Sequence, residues 1–277
     1  LGRLAIGFTR PRNPVLGSEL AGDVVAVGSR VSAFKPGDAV FAFTGSGLGC
    51  HVEYRCLAAN GAVALKPPDL SYAQAAALCF GGATMLDFYG RAALKAGERV
   101  LVNGATGTVG TAAVQLARHF GAHVTAVCRQ EHADLVSSLG AHRVIDRESQ
   151  DFAAGSTAYD VIVDTAGTAP FARCAPVLAR HGRLLLVLAT LAEMLRSPWN
   201  TLRSGKRVIA GPAAERAEYV HRLRDLACAR HFLPVIDRTY PFDEIRAAHE
   251  HVDRGHKAGS VVVEIEPGLW KTKASAR

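Results

Sequence analysis

From Glu98 onward the chain alternates short, uninterrupted apolar runs with segments of helical pattern, and this alternation constrains the fold more than any other feature. The runs are RVLVNG (99–104), HVTAVC (123–128), RVID (143–146), YDVIVDTAG (159–167), RLLLVLA (183–189) and RVIAG (207–211). Between the earlier ones lie TAAVQLARHFG, HADLVSSLG and FARCAPVLARHG, which read as helices. Strands of Val, Ile and Leu without polar alternation are buried on both faces, and a helix between two of them lets the second run parallel to the first. The expectation is an α/β fold, a doubly wound parallel sheet of Rossmann type. Two further helices are expected, from Ala214 to about Arg230 and from Asp243 to about Arg254, before a last strand SVVVEIE (260–266).

The first eighty residues have a different texture. GDVVAVG (22–28), DAVFAF (38–43) and CHVEYRCLA (50–58) are β-rich runs bounded by Gly, Pro, Ser and Asp, as in a small β-barrel or sandwich. In FKPGDAV, Pro36 presets φ and Gly37 permits the reversal that leads into a strand. After Pro67 and Pro68 the pattern turns helical from Ser71 to Leu94, with Ser71 and Gln74 spaced as a capping box. The last strand resembles this N-terminal region in type, so two domains are expected: residues 1–78 with 240–277, and 79–239. The tail GLWKTKASAR (268–277) is expected to be a frayed, solvated end.

RVLVNGATGTVGTAAVQLARHFG carries the chemistry. A buried strand ends in a turn containing Gly104, Thr106 and Gly107, and a helix begins near Thr108, followed by Val109 and Gly110. A turn without side chains lets the backbone approach a pyrophosphate, and the helix N-terminus offers N–H groups and the positive end of its dipole. Gly107 is expected to allow the ligand close, and Gly110 to let the helix pack against the strand. The spacing is G-x-x-G-x-x-G rather than G-x-G-x-x-G, so its weight comes from its place between a strand and a helix. Sites that take NAD usually end the second strand with a carboxylate for the ribose 2′-hydroxyl. Here HVTAVC ends at Cys128 and Arg129 follows. A guanidinium binds a 2′-phosphate through paired hydrogen bonds, so NADPH is the expected cofactor, although Gln130 and Glu131 make the loop less basic.

Composition excludes several classes. Apolar residues make up 49% and charged residues 21% of the 277, an ordinary globular balance. No apolar stretch reaches the roughly eighteen residues that a membrane helix needs, and no signal-peptide pattern opens the chain. The six cysteines stand singly without C-x-x-C spacing, which fits a reducing cytoplasm and no zinc lobe. The net charge of +7 is spread along the chain, so nucleic acid is not expected as a main partner.

GSELAGDVVAVGSRVSAFKPGDAVFA, VEYRCL, the AAAL and GGAT segments, LKAGERVLVNGATGTVGTAAVQLARHFGA, SLGAHRVIDRESQDF and PVIDRTYPFDEIRAAHEHVDRGHKAGSVVVEI together resemble the medium-chain dehydrogenase/reductase superfamily. Within it the chain is most similar to the zinc-free quinone oxidoreductases of the zeta-crystallin-like branch. The resemblance implies a GroES-like β domain built from both ends of the chain around a central Rossmann domain, with the nicotinamide in the cleft between them. It also implies that Ala166, after the fourth strand, and Leu188, after the fifth, border the cofactor. Zinc enzymes of the superfamily carry a His ligand in G-H-E-x-x-G; here Gly17-Ser18-Glu19-Leu20-Ala21-Gly22 has serine, a poor zinc ligand, and no metal is expected. His249, His251 and His256 do not converge as a ligand set, because a helical H-E-H cannot aim both imidazoles at one point. In the same comparison the usual G-K before the last strand is Gly259-Ser260.

The implied activity is hydride transfer from NADPH to a small electron-poor acceptor, a quinone or an α,β-unsaturated carbonyl, by a protein that orients the reactants and excludes water. An enoyl-thioester reductase is an alternative on the same fold. Family members begin further upstream than Leu1, so the β domain is expected to be incomplete at its N-terminus. That leaves a third reading, a truncated, catalytically weak NADPH-binding or interaction protein. No catalytic residue is assigned: His51 and Tyr54 lie on a run that could face the cleft, but packing is the more ordinary role for both. A homodimer is left open.

Overall fold

The computed structural model describes residues 13–255 and 257–266, so the tail expectation and His256 lie outside the described residues. The chain forms two compact units. Of the described residues, one takes 13–80, Arg216–Cys228 and those from Val235 onward; the other takes Gly81–Glu215 and Ala229–Pro234.

The first unit opens with an antiparallel sheet in which β1 (Glu19–Asp23) pairs with β2 (Ala39–Phe43), and β2 with β3 (Val63–Leu65). Val40, Ala42 and Val63 form its small core, with Leu20, Val24 and Phe34 packed against them. β1 starts three residues before the run expected from sequence and stops at Asp23. The chain closes toward β2 at Val24, whose N–H donates to Asp38 and whose carbonyl accepts from Gly37, leaving Val25 66% exposed. CHVEYRCLA is not a strand: its β-forming side chains find no pairing partner among the described residues, and propensity without a partner does not make a strand. Instead the N–H groups of Cys50 and His51 both donate to the Leu16 carbonyl.

Helix α1 (Tyr72–Ala76) carries the expected capping box, with Ser71 Oγ accepting from the Gln74 N–H and Gln74 answering to the Ser71 N–H. Helix α2 (Cys79–Ala92) follows, and the boundary between the units falls after Phe80.

The second unit is a six-stranded parallel sheet: β4 (Arg99–Asn103), β5 (His123–Cys128), β6 (Arg143–Asp146), β7 (Tyr159–Asp164), β8 (Leu178–Leu186) and β9 (Arg207–Ala210). Their spatial order is β6-β5-β4-β7-β8-β9, the 3-2-1-4-5-6 order of a dinucleotide-binding sheet. Leu101, Ile162 and Leu184 are fully buried in its centre, as uninterrupted apolar strands require. Helix α3 (Thr108–His119) follows β4, and α4 (Ala133–Ser138) follows β5.

The expected helix FARCAPVLARHG is cut short. Only the single turn α5 (Phe171–Cys174) is α-helical, followed by a 3-10 turn at Ala175–Val177. Pro176 has no N–H to continue the ladder, and Leu178 already pairs with Tyr159 as the start of β8. A tight turn through His181, at φ 63°, then shifts the register before Arg183 pairs with Val161. A helix not expected from the pattern, α6 (Leu191–Ser204), joins β8 to β9. Its outward face is its apolar one, with Leu191, Leu195, Trp199 and Leu202 exposed, while Thr201 Oγ1 accepts the N–H of Val208 in the edge strand.

Helix α7 (Ala217–Cys228) packs on β3 through its buried face of Val220, Leu223 and Leu226, so it groups with the β-rich unit rather than with residues 79–239 as expected. β10 (Ile236–Pro241) pairs in parallel with β11 (Ser260–Glu264), and α8 (Ile245–Asp253) packs on both.

Candidate functional site

The glycine turn stands at the C-terminal end of β4, beside the place where the strand order reverses between β4 and β7. Gly104, at φ +82°, turns the chain; a side chain there would strike Thr165 Oγ1 at 2.7 Å and the Ala166 methyl at 2.9 Å. The turn is pinned from both neighbouring strands. Gly104 and Ala105 donate to the Val127 carbonyl, and Thr165 Oγ1 donates to the carbonyls of Asn103 and Gly104 at 3.0 and 2.9 Å.

The other two glycines differ in kind. A Cβ on Gly110 would sit 2.1 Å from the Gly104 carbonyl oxygen, so the helix lies directly on the turn only because this residue has no side chain. At Gly107, the N-cap of α3, a Cβ would meet nothing within 4 Å among the described residues, and φ −68° with ψ 172° is a conformation open to any residue. The fold itself makes no demand for glycine at 107. Thr106, Gly107, Thr108 and Val109 are all partly accessible, and the N-cap Gly107 makes no side-chain hydrogen bond to the first turn of α3. This is the form of a helix N-terminus that can receive an anion.

Two residues outside the glycine motif, Asp164 and Gly81, also hold this geometry, and sequence reasoning did not single them out. Asp164, 2% exposed, accepts from the Asn103 side chain at 2.8 Å and from the N–H groups of Ala166, Gly167 and Ala169. One buried carboxylate therefore shapes the loop after β7 and ties it to the end of β4. Gly81 in α2 fixes α3 from the other side, since a Cβ there would lie 2.5 Å from the Thr108 carbonyl oxygen. Of these, Asp164 ending an apolar strand was the readable signal.

The remaining expected cofactor residues gather at the same end of the sheet. Ala166 touches Gly104, and the neighbouring Gly167 approaches Leu188, whose side chain is exposed beyond the end of β8. Arg129 follows β5, with its Nη1 3.5 Å from Glu131 Oε1 and its Nε 3.3 Å from Glu148 Oε1. The residues present therefore fit a dinucleotide: an open helix N-terminus, apolar walls at Ala166 and Leu188, and a cation after the second strand.

Zinc fits poorly. Ser18 stands at the G-H-E-x-x-G position, and its carbonyl accepts from both the N–H and the hydroxyl of Thr44. No group of three His, Cys, Asp or Glu residues able to hold a metal occurs among the described residues. His251 is committed to Asp237 at 2.6 Å, and His249 packs edge-on against His51. His51 lies against Gly17, and Tyr54 is exposed on a segment that is not a strand.

Glu19 is the titratable group that sequence reasoning passed over. It opens β1, and its Oε1 accepts the Phe80 N–H at 2.5 Å. Burial pushes its pKa up to about 7, against the lowering effect of the N–H groups of Phe80 and Cys79. A carboxyl raised in the folded state adds stability while it is protonated. That contribution is whole below the ordinary value of 4.5 and is lost as the pH rises through about 7. Thermal unfolding from pH 5 to pH 8 should therefore show Glu19→Gln gaining on the parent, by ~2 kcal/mol once solvent screening is allowed for. Parallel pH profiles for the two proteins would show that Glu19 titrates normally.

Residues 139–263 match the family model described as zinc-binding dehydrogenase, and residues 3–69 match that of the alcohol dehydrogenase GroES-like domain. The chain is 32% identical over 279 residues to the chloroplastic quinone-oxidoreductase QR1 of Triphysaria versicolor, covering 95% of this chain and 84% of that one. It is 30% identical over 283 residues to the mitochondrial NAD(P)H oxidoreductase RTN4IP1 of Mus musculus, covering 90% and 70%. Among solved structures it resembles the quinone oxidoreductase from Coxiella burnetii, with a TM-score of 0.85, 26% identity and coverage of 96% and 83%.

Proposed function

The chain belongs to the medium-chain dehydrogenase/reductase superfamily, in its quinone oxidoreductase branch, and from that premise we propose that it is a zinc-independent, NADPH-dependent reductase of quinones or α,β-unsaturated carbonyls. The observation that carries this reading is the open N-cap at Gly107, framed by two glycines whose places the fold does demand. Arg129 after β5, where a carboxylate would favour NAD, supports the phosphorylated cofactor. A relative named as an NAD(P)H oxidoreductase is in keeping with a nicotinamide cofactor of either kind.

In this mechanism the chain binds, orients and excludes water. The backbone of residues 106–109 receives the pyrophosphate, with the dipole of α3 behind it. Asp164 keeps the loop of Ala166 and Gly167 in one conformation through its three backbone hydrogen bonds, so the wall beside the cofactor is set before binding. When bound, NADPH supplies the hydride, which suits an acceptor already electron-poor, since no Lewis acid is required. We take the compartment to be the cytoplasm, a reading that six cysteines standing singly without C-x-x-C spacing support, and no described helix is long and apolar enough to cross a membrane.

Cofactor titration joined to turnover of a simple quinone tests the proposal. NADPH is expected to bind more tightly than NADH, and Arg129→Asp to weaken NADPH by roughly tenfold or more while changing NADH little. An unchanged ratio would show that Arg129 does not receive the 2′-phosphate. Binding without quinone turnover would assign the chain as an NADPH-binding protein instead. Removal of divalent metal by a chelator is expected to leave turnover intact; stoichiometric zinc in the purified protein, with activity lost on its removal, would overturn the zinc-independent reading.

A further inference from the structure

Arg129 does not stand alone. Its side chain is 26% exposed, and the two carboxylates beside it, Glu131 and Glu148, are 62% and 66% exposed. Glu131 is its near neighbour in sequence, but Glu148 comes from the turn after β6, and the backbone holds that turn in place. The Arg147 N–H donates to the Cys128 carbonyl at 2.9 Å, which ties the turn to the end of β5. The Glu148 N–H and the Ser149 hydroxyl both donate to Asp146, whose carboxyl they hold below its ordinary value. His132, with Nε2 3.5 Å from Glu131 Oε1, completes the group. The Arg129 Nε is buried and makes no hydrogen bond among the described residues, although Glu148 lies 3.3 Å away. Charge without aligned hydrogen bonding holds this ion pair, and at such exposure it is weak.

We propose that Glu148 is a specificity-determining residue: by competing for the Arg129 guanidinium, it sets how strongly a 2′-phosphorylated nicotinamide cofactor is preferred over the unphosphorylated one. The proposal rests on the reading that Arg129 receives the 2′-phosphate. A phosphate approaching Arg129 meets two carboxylates already there. It must displace Glu148 from the Nε side and tolerate both negative charges nearby, which costs affinity that an unphosphorylated ribose does not lose. That ribose can instead donate its 2′-hydroxyl to a carboxylate, the interaction that favours NAD at this position in other dinucleotide sites. The same three side chains therefore admit both cofactors, and the balance between them lies with Glu148.

The test is a fluorescence titration of NADPH and NADH against the parent, Glu148→Gln and Arg129→Ala, at low and high salt, each protein first shown to keep the parent's unfolding midpoint. Glu148 is exposed and anchored through its backbone, so the amide variant keeps the turn. Glu148→Gln is expected to tighten NADPH about three- to tenfold and to leave NADH unchanged or weaker, with the gain shrinking at high salt. If Glu148→Gln leaves the NADPH to NADH ratio unchanged, or moves it toward NADH, while Arg129→Ala still weakens NADPH selectively, the proposal is overturned and the Arg129 reading survives. If Arg129→Ala also leaves the ratio unchanged, the phosphate is held elsewhere and both fall.

Discussion

Gly107→Val is expected to raise the dissociation constant for NADPH by ~100-fold or more, about 3 kcal/mol, while moving the unfolding free energy of the cofactor-free protein by about 1 kcal/mol or less. The two halves of this expectation come from one geometric fact. A Cβ at 107 has nothing within 4 Å among the described residues, and the backbone already sits in an extended conformation that valine adopts readily. The open space lies at the N-cap of α3, where a pyrophosphate would contact the first-turn N–H groups, and charge-assisted hydrogen bonds of that kind are among the strongest a neutral backbone can offer. Thr108→Ala keeps its backbone N–H and should be mild by comparison. Titration calorimetry with NADPH, beside a thermal melt without it, reads both halves. Folded Gly107→Val protein that binds as tightly as the parent would show that this turn does not hold the pyrophosphate, and the hydride-transfer proposal would lose its main support.

Gly110→Val is expected to fail in the opposite way, through the fold. Its Cβ would lie 2.1 Å from the Gly104 carbonyl oxygen and 2.8 Å from the Ala105 carbonyl carbon, and both are backbone atoms that cannot turn aside. Helix α3 would have to lift from the turn, at a cost of roughly 3 kcal/mol or more. For a chain of this length that lowers the melting temperature by several degrees, on the order of 2–4 °C per kcal/mol. Gly110→Ala should already destabilise, although alanine at an unhindered helix position is worth about 1 kcal/mol over glycine. Gly90 supplies the control: it lies within α2, and a Cβ there meets nothing within 4 Å among the described residues, so Gly90→Ala should be neutral or stabilising. Equal melting temperatures for Gly90→Ala and Gly110→Ala would show that α3 does not depend on contact at Gly110.

The contrast between these two glycines shows where reading a sequence stops. The spacing of Gly104, Gly107 and Gly110 after a buried strand identified the turn, and the different work of each could be guessed from a dinucleotide-binding pattern. What each residue touches could not. Arg129 is a similar case. Its place at the end of the second strand was visible, and so was Glu131, but Glu148 lies nineteen positions further on and reaches Arg129 only because β5 and β6 are neighbours in the sheet. Glu19 is separated from Phe80 by most of the β-rich unit, and nothing in its local pattern marks a carboxyl that burial holds near neutrality.

The errors in secondary structure have the same origin. CHVEYRCLA has the composition of a strand, but a strand exists only through its partner, and no described segment pairs with it. FARCAPVLARHG has helical periodicity, yet pairing of Leu178 with Tyr159 and the missing N–H of Pro176 end the helix after one turn. Helix α6 is not expected because Pro198 stands inside it, although Leu191, Leu195, Trp199 and Leu202 keep helical spacing and the Thr190–Glu193 capping box announces its start. Helix α7 shows its helical pattern in the sequence, but only the packing of its buried face on β3 decides which unit it joins.

By itself, then, the sequence determined those features that depend on near neighbours along the chain: the six sheet strands, because continuous apolar runs can be buried in only a few ways; the glycine turn, because backbone freedom is a property of the residue; and the first helix caps, because Ser71 and Gln74 meet within one turn. Only the tertiary structure decided the strand order, the anchoring of two loops by Asp164, the carboxylates that attend Arg129 and the raised pKa of Glu19. Each of these is an interaction between groups far apart in the chain. Its strength depends on distance and desolvation, which folding sets and which local pattern does not record.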